Sequence, residues 1–268
     1  MNGYIGVGGT ARKIKGIYVG VNGVARTVQK AYVGDASGKA RLWYQRGKPL
    51  SNYAVGSSVY FKVNNMRTQW LVVQQGNPNA SIYDSSCDGT WLLMKDIYMT
   101  GQFHTVNDTT YSKSWVHSYL NGTFLRQIEE TVRNLVKEAV IPWKGNYKNY
   151  TGANGLSAKV FLLGSQELGY KHNYLSTKCG SVLSYFSSCD TRDADPKRVA
   201  YLDGNAAEWW SRSPSSGTYE YYTDQNGSGY VSGTDLLYSY PRNSKGIRPC
   251  LILPRSATVD DSSNVIGG

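Results

Sequence analysis

The stretch Tyr18–Lys30, YVGVNGVARTVQK, is the middle one of three similar units in the first 44 residues. Each unit starts with an aromatic and apolar segment, passes a glycine turn, and continues with Ala-Arg or Lys-Ala-Arg and a second apolar stretch. Alternating residues on both sides of a glycine turn predict a β-hairpin. The units begin at Tyr4 (YIGVGGTARKIKG), Tyr18 and Tyr32 (YVGDASGKARLWY), and their turn glycines are Gly9, Gly23 and Gly38.

Hairpins of this length cannot bury an apolar face alone, so they must stack on each other or on other chains. We therefore predict that residues 1–48 form a small attachment or oligomerisation module. The segment RGKPLSN, Arg46–Asn52, is expected to be the linker that follows it.

The positive charge of the protein is concentrated in this module. Residues 1–50 contain nine Lys or Arg and one acid, Asp35, which accounts for +8 of the formal net charge of +10. A basic segment can meet nucleic acid or an acidic protein surface, and it can also be a solvated face.

A second domain is expected over residues 53–254, followed by a polar, peripheral tail over residues 255–268. The chain holds 22 Tyr and 29 Gly and is only 18% charged, which favours sheet and turns over a helical bundle. The predicted strands are Val59–Val63, Trp70–Val73, Trp91–Met94, Lys159–Leu163 and Pro249–Leu253.

Two amphipathic packing helices are predicted between these strands. The first carries an apolar face and is expected to stop at Asn121-Gly122. The second runs up to Pro142. The apolar positions are Trp115, Val116, Tyr119 and Leu120 in the first helix and Ile128, Val132, Leu135, Val136 and Ala139 in the second. Together with the strands, these helices predict an α+β fold class.

Motifs for the common catalytic chemistries are absent from the sequence. The three histidines, His104, His117 and His172, form no metal-binding spacing, and there is no nucleophile elbow or phosphate-binding loop. We expect no enzyme activity, no metal and no cofactor. With no cationic-then-apolar N-terminal pattern and no long apolar run, we expect a soluble protein that is not conventionally secreted.

The four cysteines contain no Cys-x-x-Cys pair, which argues against zinc. Free, buried thiols are expected at Cys87, Cys179, Cys189 and Cys250, with a Cys179–Cys189 disulfide as the alternative.

The segment Ser215–Tyr230, SSGTYEYYTDQNGSGY, opens a region rich in Tyr, Ser, Gly, Asn, Thr and Asp that extends to Lys245. This is the composition of an antibody paratope, in which tyrosines give large contact area at low entropic cost. The alternative is a twisted sheet with tyrosines on its solvent face. The predicted ligand-binding residues are Tyr219, Tyr221, Tyr222, Tyr230, Ser232, Thr234, Asp235, Tyr238, Tyr240 and Arg242.

One part of this region imitates a calcium loop, with oxygen ligands and a central glycine at loop spacing. The matching residues are Asp224, Asn226, Ser228, Gly229 and Asp235. The flanks, however, read as strands, and Asp-x-Asn-Gly is ordinary hairpin-turn chemistry, which we favour.

The motifs WWSRSP, Trp209–Pro214, and GIRP, Gly246–Pro249, bracket the tyrosine-rich region. With WVHSYLNGTFL from Trp115 and AKVFLLGSQEL from Ala158, they resemble the C-type-lectin-fold domain of prophage and gut-bacterial proteins, including variable proteins of diversity-generating retroelements. The likeness covers about Val59 to Leu253, and Ser211 and Cys250 depart from it. The N-terminal units resemble repeats of phage tail and baseplate-associated proteins.

The resemblance implies a C-type-lectin-like domain preceded by the hairpin module. It implies scaffold roles for Trp209 and Trp210 as core and platform, and for Arg212 and Arg248 as structural hydrogen-bond donors. It further implies a receptor-binding protein in the virion tail, made in the host cytoplasm, that recognises a host cell-surface protein or glycan.

The expected partners are that host ligand and other virion tail proteins through residues 1–48, without membrane insertion. A homo-oligomer is expected, with a trimer favoured. Three alternatives stay open. They are a bacterial surface or secreted lectin-fold binding protein, a formylglycine-generating-like enzyme, and a nucleic-acid binder that uses residues 1–48.

Overall fold

The computed structural model describes the chain except residues 1–3, 8, 15, 29, 35–36, 146–148, 172–178, 190–193, 216–217 and 232–234. The first half of the strands are β1 (Tyr4–Val7), β2 (Thr10–Lys13), β3 (Tyr18–Val21), β4 (Val24–Thr27), β5 (Lys30–Gly34), β6 (Ala40–Gln45), β7 (Lys48–Pro49), β8 (Ser58–Val63), β9 (Met66–Gln75), β10 (Thr90–Met94), β11 (Met99–Gln102), β12 (Ala139–Ile141), β13 (Trp143–Lys144) and β14 (Asn149–Tyr150). The rest are β15 (Leu156–Ala158), β16 (Val160–Phe161), β17 (Tyr201–Leu202), β18 (Asn205–Ala206), β19 (Trp209–Pro214), β20 (Glu220–Thr223), β21 (Tyr230–Val231), β22 (Asp235–Leu236), β23 (Tyr238–Ser239), β24 (Ser244–Ile247), β25 (Cys250–Leu253), β26 (Thr258–Val259) and β27 (Val265–Gly267).

Helical structure is sparse. A 13-residue helix consists of α1 (Trp115–Tyr119), a π-helical turn (Leu120–Phe124) and α2 (Leu125–Gln127), and α3 (Glu130–Arg133) is a single turn. The 3₁₀ turns span Leu50–Asn52, Ser85–Cys87, Tyr111–Lys113, Gly152–Asn154 and Ser184–Phe186. Among the residues that the structure describes, no helix has the length and apolar character needed to span a bilayer.

The predicted α+β class is wrong, because the protein is mostly β, with 38% strand and 15% helix. The apolar residues that were predicted to form one second helix lie in several separate elements instead. Ile128 is extended and bridges to Val63, Val132 lies in the short α3, and Ala139 begins β12 opposite Ala158. An extended residue, a single helical turn and a strand that all face one core can also place apolar residues at helical spacing. The spacing therefore did not distinguish one long helix from these separate elements.

The first helix passes through its predicted stop because of the Asn121 side chain. Asn121 Nδ2 donates to the carbonyls of His117 and Val160, and Oδ1 accepts from the backbone amides of Lys159 and Val160. The same Asn that suggested a cap therefore ties the π-helical turn to β16.

The three predicted hairpins are present as β1–β2, β3–β4 and β5–β6, each in a two-stranded sheet of its own. Their turn glycines, Gly9, Gly23 and Gly38, have φ of +77°, +77° and +76°, a region that favours glycine.

Two five-stranded sheets build the rest of the core. The inner sheet has the order β16-β25-β10-β9-β8 and is antiparallel, and all five residues of β10 are buried. The tyrosine sheet has the order β11-β24-β19-β20-β23, with β19 and β24 parallel. The sheets are connected where Arg212 N, in β19, donates to Leu163 O, just after β16, at 3.0 Å.

The segment after residue 254 is not a peripheral tail, contrary to our expectation. Strand β26 pairs with β27 and with β7, and Ala257 and Val259 are fully buried. Leu50 N donates to Ala257 O at 2.6 Å, so the predicted linker is itself clamped to the C-terminal strands. We call this three-stranded sheet, β27-β26-β7, the clamp.

Candidate functional site

The tyrosine-rich region forms the outer edge of the tyrosine sheet. Strand β20 lies between β19 and the edge strand β23, and Tyr221 is opposite Tyr238 in the antiparallel register. Because successive side chains of a strand point to opposite faces, this register decides which tyrosines can reach solvent on the same side.

Three of the predicted tyrosines form a cluster at the surface, with Tyr219 half-buried between two exposed rings; we call Tyr219, Tyr238 and Tyr240 the tyrosine triad. The Tyr219 ring centroid lies 4.8 Å from that of Tyr238 and 4.7 Å from that of Tyr240, and Tyr219 Oη donates to Tyr240 Oη at 2.9 Å. Tyr238 and Tyr240 are 52% and 45% exposed. The hydrogen bond to Tyr240 raises the pKa of Tyr219.

Tyr221 is not a contact residue, contrary to the sequence-based prediction. It is 5% exposed and belongs to the hydrophobic core, and its carbonyl accepts a hydrogen bond from Ser211 Oγ. It lies on the triad's side of β20, but toward the middle of the sheet, where neighbouring elements cover it.

Tyr222, the next residue, belongs to a second group with Lys245, Glu208 and Trp210. Lys245 Nζ lies 3.7 Å from the centre of the Tyr222 ring and 2.5 Å from Glu208 Oε2. The Tyr222 ring meets Trp210 edge-on at 6.4 Å, and burial raises the pKa of Tyr222. The predicted site is therefore divided between two groups, and the triad is the exposed one.

A groove of about 290 Å³ lies beside this second group. Its lining is polar and small, with Thr100, Ala206, Glu208, Gln225, Ser244 and Gly246 among its members. Sequence reasoning missed Glu208 and Lys245, which flank the recognisable motifs but belong to no pattern of their own.

The remaining predicted contact residues are only partly placed. Ser232 and Thr234 fall outside the described residues. Tyr230 and Asp235 have paired backbones in β21 and β22, and Arg242 is exposed.

The loop that imitated a calcium site is a turn between β20 and β21 that is built by Asp224. Its Oδ1 accepts from the backbone amides of Asn226 and Ser228, at 2.9 and 2.8 Å, and Gly227 closes the turn with φ of +79°. In the part of the chain that the structure describes, no three His, Cys, Asp or Glu side chains converge on a metal site.

The bracketing motifs lie in the core. Trp209 and Trp210 are fully buried, and their Nε1 atoms donate to Arg198 O and Gly101 O. Arg212 donates to the carbonyls of Leu162 and Pro142 and pairs with Glu167.

Arg248 is buried without a carboxylate partner. Its Nε and Nη2 donate to Met94 O and Lys95 O, its guanidinium lies 4.9 Å from the Trp209 ring, and Nη1 has no hydrogen-bond partner. Burial lowers the pKa of Arg248 to about 10.

All four cysteines are buried thiols, as predicted, and the alternative Cys179–Cys189 disulfide is wrong. Burial raises the pKa of Cys87 to about 12 and that of Cys189 to about 11. His117 likewise packs, edge-on to Tyr111 at 5.2 Å, and burial lowers its pKa.

A family model described as "Domain of unknown function (DUF6273)" matches residues 88–255, which is more than half of the chain. The matched segment includes the tyrosine sheet and the triad, whereas the hairpin module lies outside it. No curated protein and no solved structure matches this chain.

Proposed function

We propose that this chain, which belongs to the DUF6273 family, recognises a host cell-surface protein or glycan and catalyses no reaction. The tyrosine triad is the recognition surface, with the exposed Arg242 beside it in sequence. The protein acts in a phage tail, where the hairpin module attaches it to another virion protein.

The observation that carries this proposal is the exposure of the Tyr238 and Tyr240 rings at a sheet edge, both in contact with the half-buried ring of Tyr219. Tyr219 holds Tyr240 by a hydrogen bond and contacts the Tyr238 ring, so the rings are ordered before a ligand arrives. Pre-ordered tyrosines lose little entropy on binding and combine apolar area with hydrogen-bonding hydroxyls. Such a surface suits a protein or glycan that covers it.

The cysteine environments support the non-catalytic proposal over a formylglycine-generating-like enzyme. That chemistry needs reactive thiolates, and burial raises the pKa of Cys87, Cys189 and Cys250 far above neutrality. The second candidate function is that of a bacterial surface binding protein, since the same triad on such a protein would contact a protein or glycan outside the cell.

The test is adsorption of the fluorescently labelled full chain to the bacterium that carries the gene. The double variant Tyr238→Ala/Tyr240→Ala is expected to lose roughly tenfold or more in adsorption, as for loss of interface aromatic anchors. Its melting temperature should stay unchanged, because both rings are exposed. Tyr201→Ala is the matched control, since Tyr201 is 45% exposed but lies in β17. Equal adsorption of the double variant and the wild type would rule out the triad as the site.

A further inference from the structure

The hairpin β3–β4 is exposed on both faces. Tyr18 is 65% exposed on one face, and Val19, Val21 and Val24 are 49%, 38% and 59% exposed on the other. A two-stranded ribbon with no cover is marginally stable in water. The hairpin therefore has the character of a surface that another molecule covers.

The register gives one face of this hairpin a repeated chemistry. Val19 is opposite Arg26, and Val21 is opposite Val24, so these four side chains share a face, which we call the valine face. The same pairing of a β-branched residue with an arginine recurs in the other two hairpins. The equivalent pairs are Ile5 with Arg12 and Val33 with Arg41.

The module that carries the valine face is strongly basic. Residues 1–50 carry +8 of the net +10, and Arg26, Lys30, Lys39 and Lys48 are exposed. The other 218 residues have a net charge of only +2, so the charge of the module is complementary to an acidic partner.

We propose that the valine face is a docking surface for an acidic protein segment in which apolar side chains stand beside carboxylates. The Val19–Arg26 pair provides one exposed apolar side chain and one exposed cation, and the backbone register repeats the pairing of residue types in the other two hairpins. This inference rests on the attachment role in the proposed function and names the chemistry of the attachment partner.

Two other occupants are disfavoured by the same observations. A second copy would bring two surfaces of +8 together, and the like charges repel. A nucleic acid could contact the arginines and Tyr18, because its phosphates bind cations and its bases stack on aromatic rings. The three exposed valines would contribute to neither kind of contact.

The experiment measures fluorescence anisotropy of two labelled synthetic peptides against the full chain. One peptide repeats Glu-Val-Glu-Tyr three times, and the other replaces each Glu by Lys. The acidic peptide should bind at least about tenfold more tightly than the basic one, and raising NaCl from about 50 to about 300 mM should weaken it roughly tenfold. Equal binding of both peptides, or binding of neither, overturns the proposal.

Variants locate the surface. Val19→Ser/Val24→Ser should abolish binding of the acidic peptide, whereas Val106→Ser, a 53% exposed valine outside the module, should not. Because the serine variant could simply unfold the hairpin, Arg26→Glu provides a second readout. It keeps the apolar pattern and should weaken binding of the acidic peptide without strengthening that of the basic one as much as it would need to reverse the preference; unchanged affinity for the acidic peptide contradicts the proposal.

The rival occupants have their own signatures. Light scattering that shows an oligomer dissolved by Val19→Ser/Val24→Ser would assign the face to a second copy. Tighter binding of single-stranded oligothymidine than of the acidic peptide would assign it to nucleic acid. Tyr238→Ala/Tyr240→Ala should leave peptide binding intact, and the valine variants should leave cell adsorption intact, so failure of one role is distinguishable from failure of the other.

Discussion

Arg212 and Glu167 are joined by two parallel hydrogen bonds, Nη1–Oε2 at 2.5 Å and Nη2–Oε1 at 2.6 Å, where both side chains are at most 2% exposed. Tyr83 Oη and Gly164 N donate to the same carboxylate, at 2.8 and 2.9 Å. The pair connects β19 of the tyrosine sheet to the loop after β16 of the inner sheet. Both carboxylate oxygens of Glu167 accept hydrogen bonds, and most N–H groups of the Arg212 guanidinium donate one. Removing either side chain would therefore leave the other as a buried charge without its partner.

Glu167→Gln should destabilise the protein by about 3–5 kcal/mol, because it leaves the buried Arg212 cation without its counter-charge. The melting temperature should fall by roughly 6–20 °C in a thermal scan. Glu138→Gln, an exposed residue with a single hydrogen bond to Ser157, is the control and should change little. A Glu167 variant that melts with the wild type would show that the pair is not needed for stability.

Glu220 makes stability depend on pH. Its side chain is fully buried, and neither carboxyl oxygen has a hydrogen-bond partner among the residues that the structure describes. Burial raises the pKa of Glu220 well above the ordinary value, and the charge of Lys144 offsets part of the increase. Protonated Glu220 makes its full contribution to folding stability below the unfolded pKa of about 4.3. That contribution is lost as the pH rises through the folded pKa.

Glu220→Gln should therefore raise the melting temperature at pH 8 and have little effect at pH 4. Denaturant unfolding at several pH values measures the difference, and Glu138→Gln, at an exposed position, is the control. If the stability of the wild type does not decline relative to the Gln variant between these pH values, Glu220 is not a buried acid of raised pKa.

Asn121→Ala should destabilise the protein by about 2–4 kcal/mol, since it removes four hydrogen bonds that each contribute about 1 kcal/mol. The loss separates the π-helical turn from Lys159 and Val160, so hydrogen exchange should rise at those two amides. Asn134→Ala, at an exposed position after α3, is the matched control. Unchanged exchange at Lys159 and Val160 would contradict the role given to Asn121.

Gly47→Ala should loosen the clamp. Gly47 has φ of +74°, and a Cβ there would lie 2.4 Å from Val259 O, so the backbone must shift in addition to the strain of roughly 1–3 kcal/mol. Limited proteolysis should then cut between the hairpin module and the larger domain. Gly34→Ala, where a Cβ meets nothing within 4 Å, should stay resistant. Equal resistance of both variants would mean that Gly47 is not required for the clamp.

The sequence correctly predicted the elements whose conformation depends mainly on neighbouring residues. The hairpins follow from glycine turns, and strands such as Ser58–Val63 and Thr90–Met94 follow from short apolar runs, which the prediction placed within a residue. The helix over Ile128–Ala139 failed because the same apolar spacing was used by an extended bridge, a single turn and a strand. The burial of Ala257 and Val259 was missed because a short polar segment gives no sign of its distant partner, β7.

The separation of the tyrosines into buried and exposed residues shows how far the candidate site could be predicted from the sequence. Composition identified the region Ser215–Lys245 as aromatic and polar, but it could not assign faces. Whether Tyr221 is buried and Tyr238 exposed depends on the register of β20 against β23 and on what covers each end of the sheet. Both are long-range properties that no window of sequence contains.

The clamp also sets an order of events during synthesis. Lys48 and Pro49 leave the ribosome long before Thr258 and Val259, yet they are strand partners. The junction between the module and the larger domain can close only after nearly all of that domain has been translated. In a nascent chain, β7 therefore lacks its strand partner until almost the whole of the larger domain has been synthesised.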